Sequence, residues 1–269
     1  MAEASQFAAR YGKWAIIAGA SEGIGAAYAE ELAGRGLNLV LVARRAELLQ
    51  SLSALLSAKY NIEIKSIPLD LSTSDALEQI AENSKELEIG LLIYNAAFSA
   101  IGPFLERPLE DHIREINTNA FTPLKLIYYF AQQMLARGRG GIVLMSSLSA
   151  FQGSAYISTY AATKAFNIVL AEGLWEEWRA RGVDVLVCVS GAVKTPNYIA
   201  SEPEKTGGIG DMTMNPHQVV LEALNALGKG PYVIPGGINR ISSFVMRHLL
   251  PRKTAVKFMG RILKGMYVK

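Results

Sequence analysis

The chain is 269 residues long, half hydrophobic and 19% charged, which places it among globular chains with a large buried core and excludes a disordered one. Its formal net charge is only +3, with no arginine-rich helix or basic–aromatic alternation, so nucleic acid is set aside as a partner. The single cysteine, Cys188, cannot close an internal disulfide and reads as a small buried hydrophobe inside an apolar run.

In chain order, residues 1–14 lack the apolar segment of a signal peptide. Short apolar runs over 13–18, 37–42, 62–68, 91–94, 141–145, 183–189 and 232–234 read as strands. Segments of helical period over 24–35, 46–59, 74–87, 109–137, 156–181 and 216–227 read as helices between them. Runs such as Leu39-Val40-Leu41-Val42 are apolar without alternation, as strands covered on both faces require. Alternation from end to end predicts the α/β class: a doubly wound, mostly seven-stranded parallel sheet of the Rossmann type. One domain over 1–239 is expected, followed by a basic helical extension over 240–269. The longest uncharged stretch, 140–163, is interrupted by Ser, Gln, Gly and Thr, unlike the roughly 20 apolar residues of a bilayer span. A cytoplasmic chain is the expectation.

Directly after the first strand comes Ala18-Gly19-Ala20-Ser21-Glu22-Gly23-Ile24-Gly25, opening a helix. Its glycines permit a tight turn and close backbone approach to a pyrophosphate, and the helix N-terminus supplies N–H groups and a positive dipole end. The spacing is not the usual G-x-G-x-x-G, but the strand–turn–helix setting makes this a dinucleotide site. Gly19, Ser21, Gly23, Ile24 and Gly25 are expected to hold the ligand. A merely structural turn is the alternative. The second strand is followed by Arg44 and Arg45 rather than by an acid that would accept from ribose hydroxyls. A charge-assisted contact from Arg44 to a 2′-phosphate is worth about 1.5–3 kcal/mol, which favours NADP(H) over NAD(H). Arg45 reads equally well as a solvated residue at a helix start.

Tyr160 and Lys164 stand four residues apart and so share a face of the predicted helix. A phenol with a pKa of about 10 is a poor base, and a nearby cation favours its phenolate. Ser147 lies just past the end of a predicted strand, where active-site loops of open α/β sheets gather. Its hydroxyl is placed to hold a substrate oxygen while Tyr160 passes the proton.

Residues 195–215 break the strand–helix rhythm with three glycines and two prolines and are expected to form a substrate loop. From Arg240 to Lys269 there are eight Lys or Arg and no acid, spaced among apolar residues. That suits an amphipathic helix in peripheral contact with a membrane, an acidic partner or an anionic substrate; a packed helix with a solvated cationic face is the other reading. His112, His217 and His248 have no metal-ligand spacing, so no metal is expected.

The ordered set Gly19, Gly23, Gly25, Asp70, Asn95-Ala96-Ala97, Asn119, Ser147, Tyr160, Lys164, Gly191 and Thr195 resembles the short-chain dehydrogenase/reductase family, over roughly residues 12–227. The resemblance implies Tyr160 as acid/base, Lys164 holding the nicotinamide ribose and lowering the Tyr160 pKa, and Ser147 polarising the substrate carbonyl. It implies that Asn119 anchors a water, with Asn117 as its nearest competitor, and that Tyr156 lines the pocket. Asp70 and Leu71 would meet the adenine, Asn95, Ala96 and Ala97 the floor under the cofactor, and Val193 with Thr195 the carboxamide. Ala18, Ala97 and Ser190 depart from the family pattern without removing a proton-transfer group, and Glu22 opposes a 2′-phosphate. The C-terminal third, from Asn215-Pro216-His217 through Pro235-Gly236, is similar to the branch of 3-oxoacyl and 17β-hydroxysteroid reductases. An NADP(H)-dependent oxidoreductase interconverting an apolar ketone and a secondary alcohol, as a homodimer or homotetramer, is what the resemblance implies. An NAD-dependent alcohol dehydrogenase of the same family, a catalytically silent cofactor sensor and a membrane-surface protein stay as alternatives.

Overall fold

The computed structural model describes residues 2–200 and 213–267. The strands are β1 (Trp14–Ala18), β2 (Asn38–Ala43), β3 (Ile64–Pro68), β4 (Ile89–Tyr94), β5 (Gly140–Ser147), β6 (Val183–Ser190) and β7 (Tyr232–Val233). All pair in parallel in the order β3-β2-β1-β4-β5-β6-β7, as the uninterrupted apolar runs require. Because side chains alternate along a strand, each strand feeds two cores. Ile17, Leu39, Leu41, Ile93 and Leu186 pack with α2 (Gly23–Gly34), α3 (Ala46–Tyr60) and α9 (Pro216–Ala226) on one face. Ile16, Val40, Val42, Leu92 and Val187 pack with α4 (Ala76–Ser84), α6 (Thr122–Arg137) and α7 (Ser158–Trp178) on the other. Cys188 lies fully buried in the first core, and burial pushes its thiol well above the ordinary range.

Strand order reverses between β1 and β4, so the loops at their carboxyl ends diverge and leave a crevice there. The opposite end of the sheet is closed by α1 (Ala2–Tyr11), a helix the periodicity did not indicate. Tyr11 donates to Asp184 at 2.7 Å and Arg10 pairs with the same carboxylate at 2.6 Å, fastening α1 to the start of β6.

Several expected elements differ in detail. The helix expected over 109–137 is α5 (Leu109–Ile116) and α6 joined by a π-helical turn, Asn117–Phe121, which carries Asn119. Tyr156 has a positive φ of 66°, which no helix accommodates, so α7 starts at Ser158 rather than at 156. The tail is not one helix: α10 (Gly237–Phe244) crosses the boundary expected after 239, and a π turn, Val245–Leu249, follows it. Leu250 is then extended ahead of Pro251, which cannot continue the ladder, and α11 (Arg252–Tyr267) begins anew. Among the described residues no helix is long and apolar enough to cross a membrane. The 195–215 loop starts with the short helix α8 (Pro196–Ala200), and its centre, 201–212, lies outside the described residues.

Candidate active site

The turn after β1 closes on itself. A Cβ on Gly25 would fall 1.9 Å from the Gly19 carbonyl oxygen, and one on Gly19 would fall 2.6 Å from the Ala96 Cα, so the β1 and β4 loops touch only because no side chain intervenes. Glu22 occupies the N-cap of α2 without capping it. Its carboxylate is held by Arg45 at 2.7 Å, and the same guanidinium donates to Ser21 Oγ at 3.1 Å. Among the described residues no side chain therefore covers the first-turn N–H groups of α2, which leaves them to an anion such as a pyrophosphate. The residues present fit a dinucleotide.

Gly19, Ser21, Gly23 and Ile24 line one cavity of about 300 Å³ that runs from this turn to Lys164. Arg44, Asp70 and Leu71 line its far end, and Asn95, Ala96 and Ala97 its side. Asn95 Nδ2 donates to the Gly19 carbonyl at 2.8 Å, which ties the β4 loop to the glycine turn. Burial works against the Asp70 carboxylate, but bonds from the Ser72 N–H and hydroxyl, with Arg114 and Arg44 nearby, hold its pKa below the usual value. Arg114 Nη2 sits 2.8 Å from Asp70, whereas Arg44 Nη1 is 3.9 Å away and stays largely exposed. Arg114 also lies over the Phe98 ring at 4.9 Å and lines the cavity. Sequence reasoning missed Arg114: nothing local links it to an aspartate 44 positions earlier.

Tyr160 and Lys164 both face this cavity from α7. Burial pushes the Tyr160 phenol up to about 12, partly countered by its hydrogen bond to Ser147. Ser147 also accepts from the Ser149 hydroxyl at 3.0 Å, which orients it. Lys164 Nζ is 5.6 Å from the Tyr160 ring centroid and donates to the Met145 carbonyl at 2.9 Å. The Ser146 hydroxyl returns a bond to the Lys164 carbonyl at 2.8 Å, so β5 holds Lys164 at both ends. Burial lowers the Lys164 pKa to about 8. The expected depression of the Tyr160 pKa by Lys164 is thus replaced here by Ser147, because the ammonium is buried and aimed at a carbonyl.

Asn119 is fully buried, and its side chain clasps Phe98: the Phe98 N–H donates to Oδ1 at 2.9 Å and Nδ2 donates to the Phe98 carbonyl at 2.8 Å. The Asn119 carbonyl accepts from Asn167 at 3.1 Å and keeps a second lone pair. Thr195 lines the cavity and touches Gly23, whose added Cβ would meet it at 2.9 Å. The Val193 side chain lies instead in the core, and Val193 bridges to Met214. Asn117 sits in the same π turn as Asn119 but does not line the cavity.

The tail packs against the β5–α7 connection. Arg252 donates to the Phe151 carbonyl at 2.6 Å, Arg247 stacks over the Phe151 ring at 4.2 Å, and a Cβ on Gly260 would lie 3.6 Å from Ala155. Tyr267, at the end of α11, is near enough to Tyr160 and Tyr198 to raise both their pKa values. The α11 helix buries Ala255 and Leu263, while Lys253, Lys257, Arg261 and Lys264 form an exposed stripe with no acidic partner among the described residues. Nothing in the local pattern had told this packed arrangement from a free amphipathic helix.

A model of the short chain dehydrogenase family matches residues 13–206. The 7beta-hydroxysteroid dehydrogenase of Mediterraneibacter gnavus is 33% identical over 253 residues, covering 93% of this chain and 96% of that one. The very-long-chain 3-oxoacyl-CoA reductase of Mus musculus is 37% identical over 180 residues, 65% of this chain and 58% of that one. A solved structure of a 7beta-hydroxysteroid dehydrogenase superposes with a TM-score of 0.89 at 31% identity, covering 94% of this chain and 98% of its own. A short-chain dehydrogenase from Sphingobium yanoikuyae in complex with NADPH superposes at 0.75 with 30% identity, covering 82% and 86% of the two chains.

Proposed function

Because the chain belongs to the short-chain dehydrogenase family and is an oxidoreductase acting on CH–OH groups, we propose that it interconverts an apolar ketone and its secondary alcohol with NADP(H). The observation that carries this reading is one cavity joining the uncapped N-terminus of α2 to the Tyr160–Lys164 face of α7. A bound nicotinamide would supply or take the hydride. Tyr160, whose burial keeps the phenol protonated at neutral pH, donates the proton to the carbonyl oxygen in the reductive direction. Ser147 orients that phenol and polarises the same oxygen. Lys164 is held by β5 in a fixed place beside the ring, where it would hold the ribose of a bound nicotinamide nucleotide. Asn119 fixes the loop after β4 against α7 through Phe98 and Thr163.

NADP(H) is favoured over NAD(H) because Arg45 neutralises Glu22, so the acid that opposes a 2′-phosphate is already paired and Arg44 is left largely exposed. The NADPH complex of the Sphingobium relative supports the same choice. For the substrate, likeness to a hydroxysteroid dehydrogenase along nearly the whole chain favours a steroid over a 3-oxoacyl thioester. The tail is proposed to wall the substrate end of the cleft; its cationic stripe stays available to an anionic membrane, which liposome co-sedimentation of a Lys253/Lys257/Arg261/Lys264→Gln variant checks. Exposed Phe121, Tyr128, Phe166 and Val169 on the α6 and α7 side support a homo-oligomer, read by light scattering.

The experiment is a panel of steroid ketones, 3-oxoacyl thioesters and small ketones followed by NADPH absorbance. Turnover of a steroid ketone is expected. Tight NADPH binding with no turnover across the panel would favour a silent cofactor sensor instead.

A further inference from the structure

Arg114 is a cation in the dinucleotide cavity to which the proposed reaction gives no part. It stands in the last turn of α5, and its guanidinium is held on two sides. Nη2 donates to Asp70 Oδ2 at 2.8 Å, and Cζ lies 4.9 Å from the Phe98 ring centroid. Phe98 is itself clasped by Asn119 through both its N–H and its carbonyl. A planar guanidinium fixed by a carboxylate and a ring has little freedom left to follow a ligand.

The Asp70 carboxylate is fully engaged. Its Oδ1 accepts from the Ser72 N–H at 2.9 Å and from the Ser72 hydroxyl at 2.8 Å. Its Oδ2 takes Arg114, while Arg44 Nη1 stands 3.9 Å from that same oxygen, too far for a hydrogen bond. Two guanidiniums converge on one oxygen, and Arg114 holds it. The loose contact to Asp70 is the only ion pair of Arg44 among the described residues, and the Arg44 side chain is 59% exposed. The neighbouring Arg45 is already committed to Glu22 at 2.7 Å. These three guanidiniums face only two carboxylates, so one positive charge is left over, and it rests on Arg44, the least held of the three.

We propose that Arg114 is a specificity-determining residue for the cofactor: by occupying Asp70 it keeps Arg44 free for the 2′-phosphate of NADP(H). Without Arg114, Asp70 keeps only the neutral Ser72 donors, and its charge draws the flexible Arg44 across the remaining gap into a direct pair. An Arg44 paired in this way meets a phosphate with its charge cancelled. Arg114 thus acts through Arg44 and has no phosphate contact of its own.

This inference rests on the NADP(H) reading and on Arg44 as the phosphate contact. Dissociation constants for NADPH and NADH, measured by calorimetry on the intact protein, test it without turnover. Arg114→Met keeps an unbranched side chain over Phe98 and removes the charge with its donors. The ratio of NADPH to NADH affinity is expected to fall by about three- to fivefold, the scale of one half-exposed ion pair. Affinity lost through loosened packing falls on both cofactors and leaves that ratio alone. In an Arg44→Ala background the same substitution is expected to leave the ratio unchanged, because the cation it protects is gone. Adding Asp70→Asn to Arg114→Met is expected to restore the ratio, since no carboxylate then competes for Arg44.

An unchanged ratio in Arg114→Met overturns the proposal. A fall that persists in Arg44→Ala also overturns it, by showing that Arg114 meets the phosphate itself. Failure of Asp70→Asn to restore the ratio overturns it too. Should Arg114→Met not fold, Arg114→Gln removes the same charge and reads the same outcomes. Failure of the NADP(H) reading looks different: there Arg44→Ala alone leaves the ratio where it was.

Discussion

Arg45 Nη2 stands 2.7 Å from Glu22 Oε1, and this pair settles the charge at the mouth of the dinucleotide cleft. While it holds, Glu22 neither caps α2 nor repels a phosphate near Arg44. Replacing Arg44 with Ala removes the proposed phosphate contact and is expected to cut kcat/KM for NADPH by about 10–100-fold, the equivalent of about 1.5–3 kcal/mol, with little change for NADH. Arg45→Ala is expected to weaken NADPH as well, by freeing Glu22, and Glu22→Gln should then restore it. Steady-state kinetics with both cofactors read this directly. A preference for NADH in the unmutated enzyme contradicts the NADP(H) reading.

Gly25→Ala tests the turn itself. The new Cβ would stand 1.9 Å from the Gly19 carbonyl, so backbone must move. Overpacking of this kind costs about 1–3 kcal/mol, and the displaced N–H groups should weaken NADPH binding as well as lower the melting temperature. Calorimetry of binding alongside a thermal melt separates the two losses. Unchanged affinity would mean that the turn does not touch the cofactor.

The raised pKa of Glu115 has a consequence for stability that can be measured without substrate. Its folded value of about 7 lies above the ordinary 4.5, so between those values the folded state binds the extra proton. Stability contributed by the neutral carboxyl is complete below the ordinary value and drains away as pH rises through about 7. The loss is on the order of 2–3 kcal/mol, or roughly 5 °C for a chain of this size. Glu115→Gln is expected to abolish that fall, so its melting advantage over the unmutated protein should grow from pH 5 to pH 8. Parallel melting curves across that range would contradict the assignment.

Removing 252–269 takes away the helix that packs beside Ala155 and Phe151. The KM for an apolar ketone is expected to rise about tenfold or more, with kcat and NADPH affinity nearly unchanged, as when binding shared by ground and transition states is lost. A matched loss of NADPH binding would place the tail at the cofactor instead.

Much of this was legible in residue order alone. The seven strands follow from apolar runs that only a two-sided sheet can bury, and the glycine turn and the Tyr160–Lys164 spacing sit at the sheet ends those runs dictate. What was missed depends on contacts between distant residues. The apolar period simply continues through the π turn at Asn117–Phe121, so nothing local marks the extra residue that turns Asn119 toward Phe98. Arg114 and Glu115 look like the solvated face of a helix until α7 and the Asp70 loop are packed against it. Arg45 read as a solvated residue at a helix start because its partner, Glu22, lies in the turn after the neighbouring strand β1. The tail read as one basic helix; the break before Pro251 and the packing of α11 onto the β5–α7 connection emerge only in the fold.

The proposed reaction turns on the phenol of Tyr160. Tyr160→Phe removes one oxygen and nothing else from a site whose phosphate turn lies at the other end of the cavity and whose Lys164 is held by β5 rather than by the phenol. Single-turnover reduction by NADPH should fall by about 10²–10⁴-fold while NADPH, titrated by fluorescence, binds within about threefold of the unmutated protein. Reduction surviving within tenfold in that variant would mean the proton comes from another group.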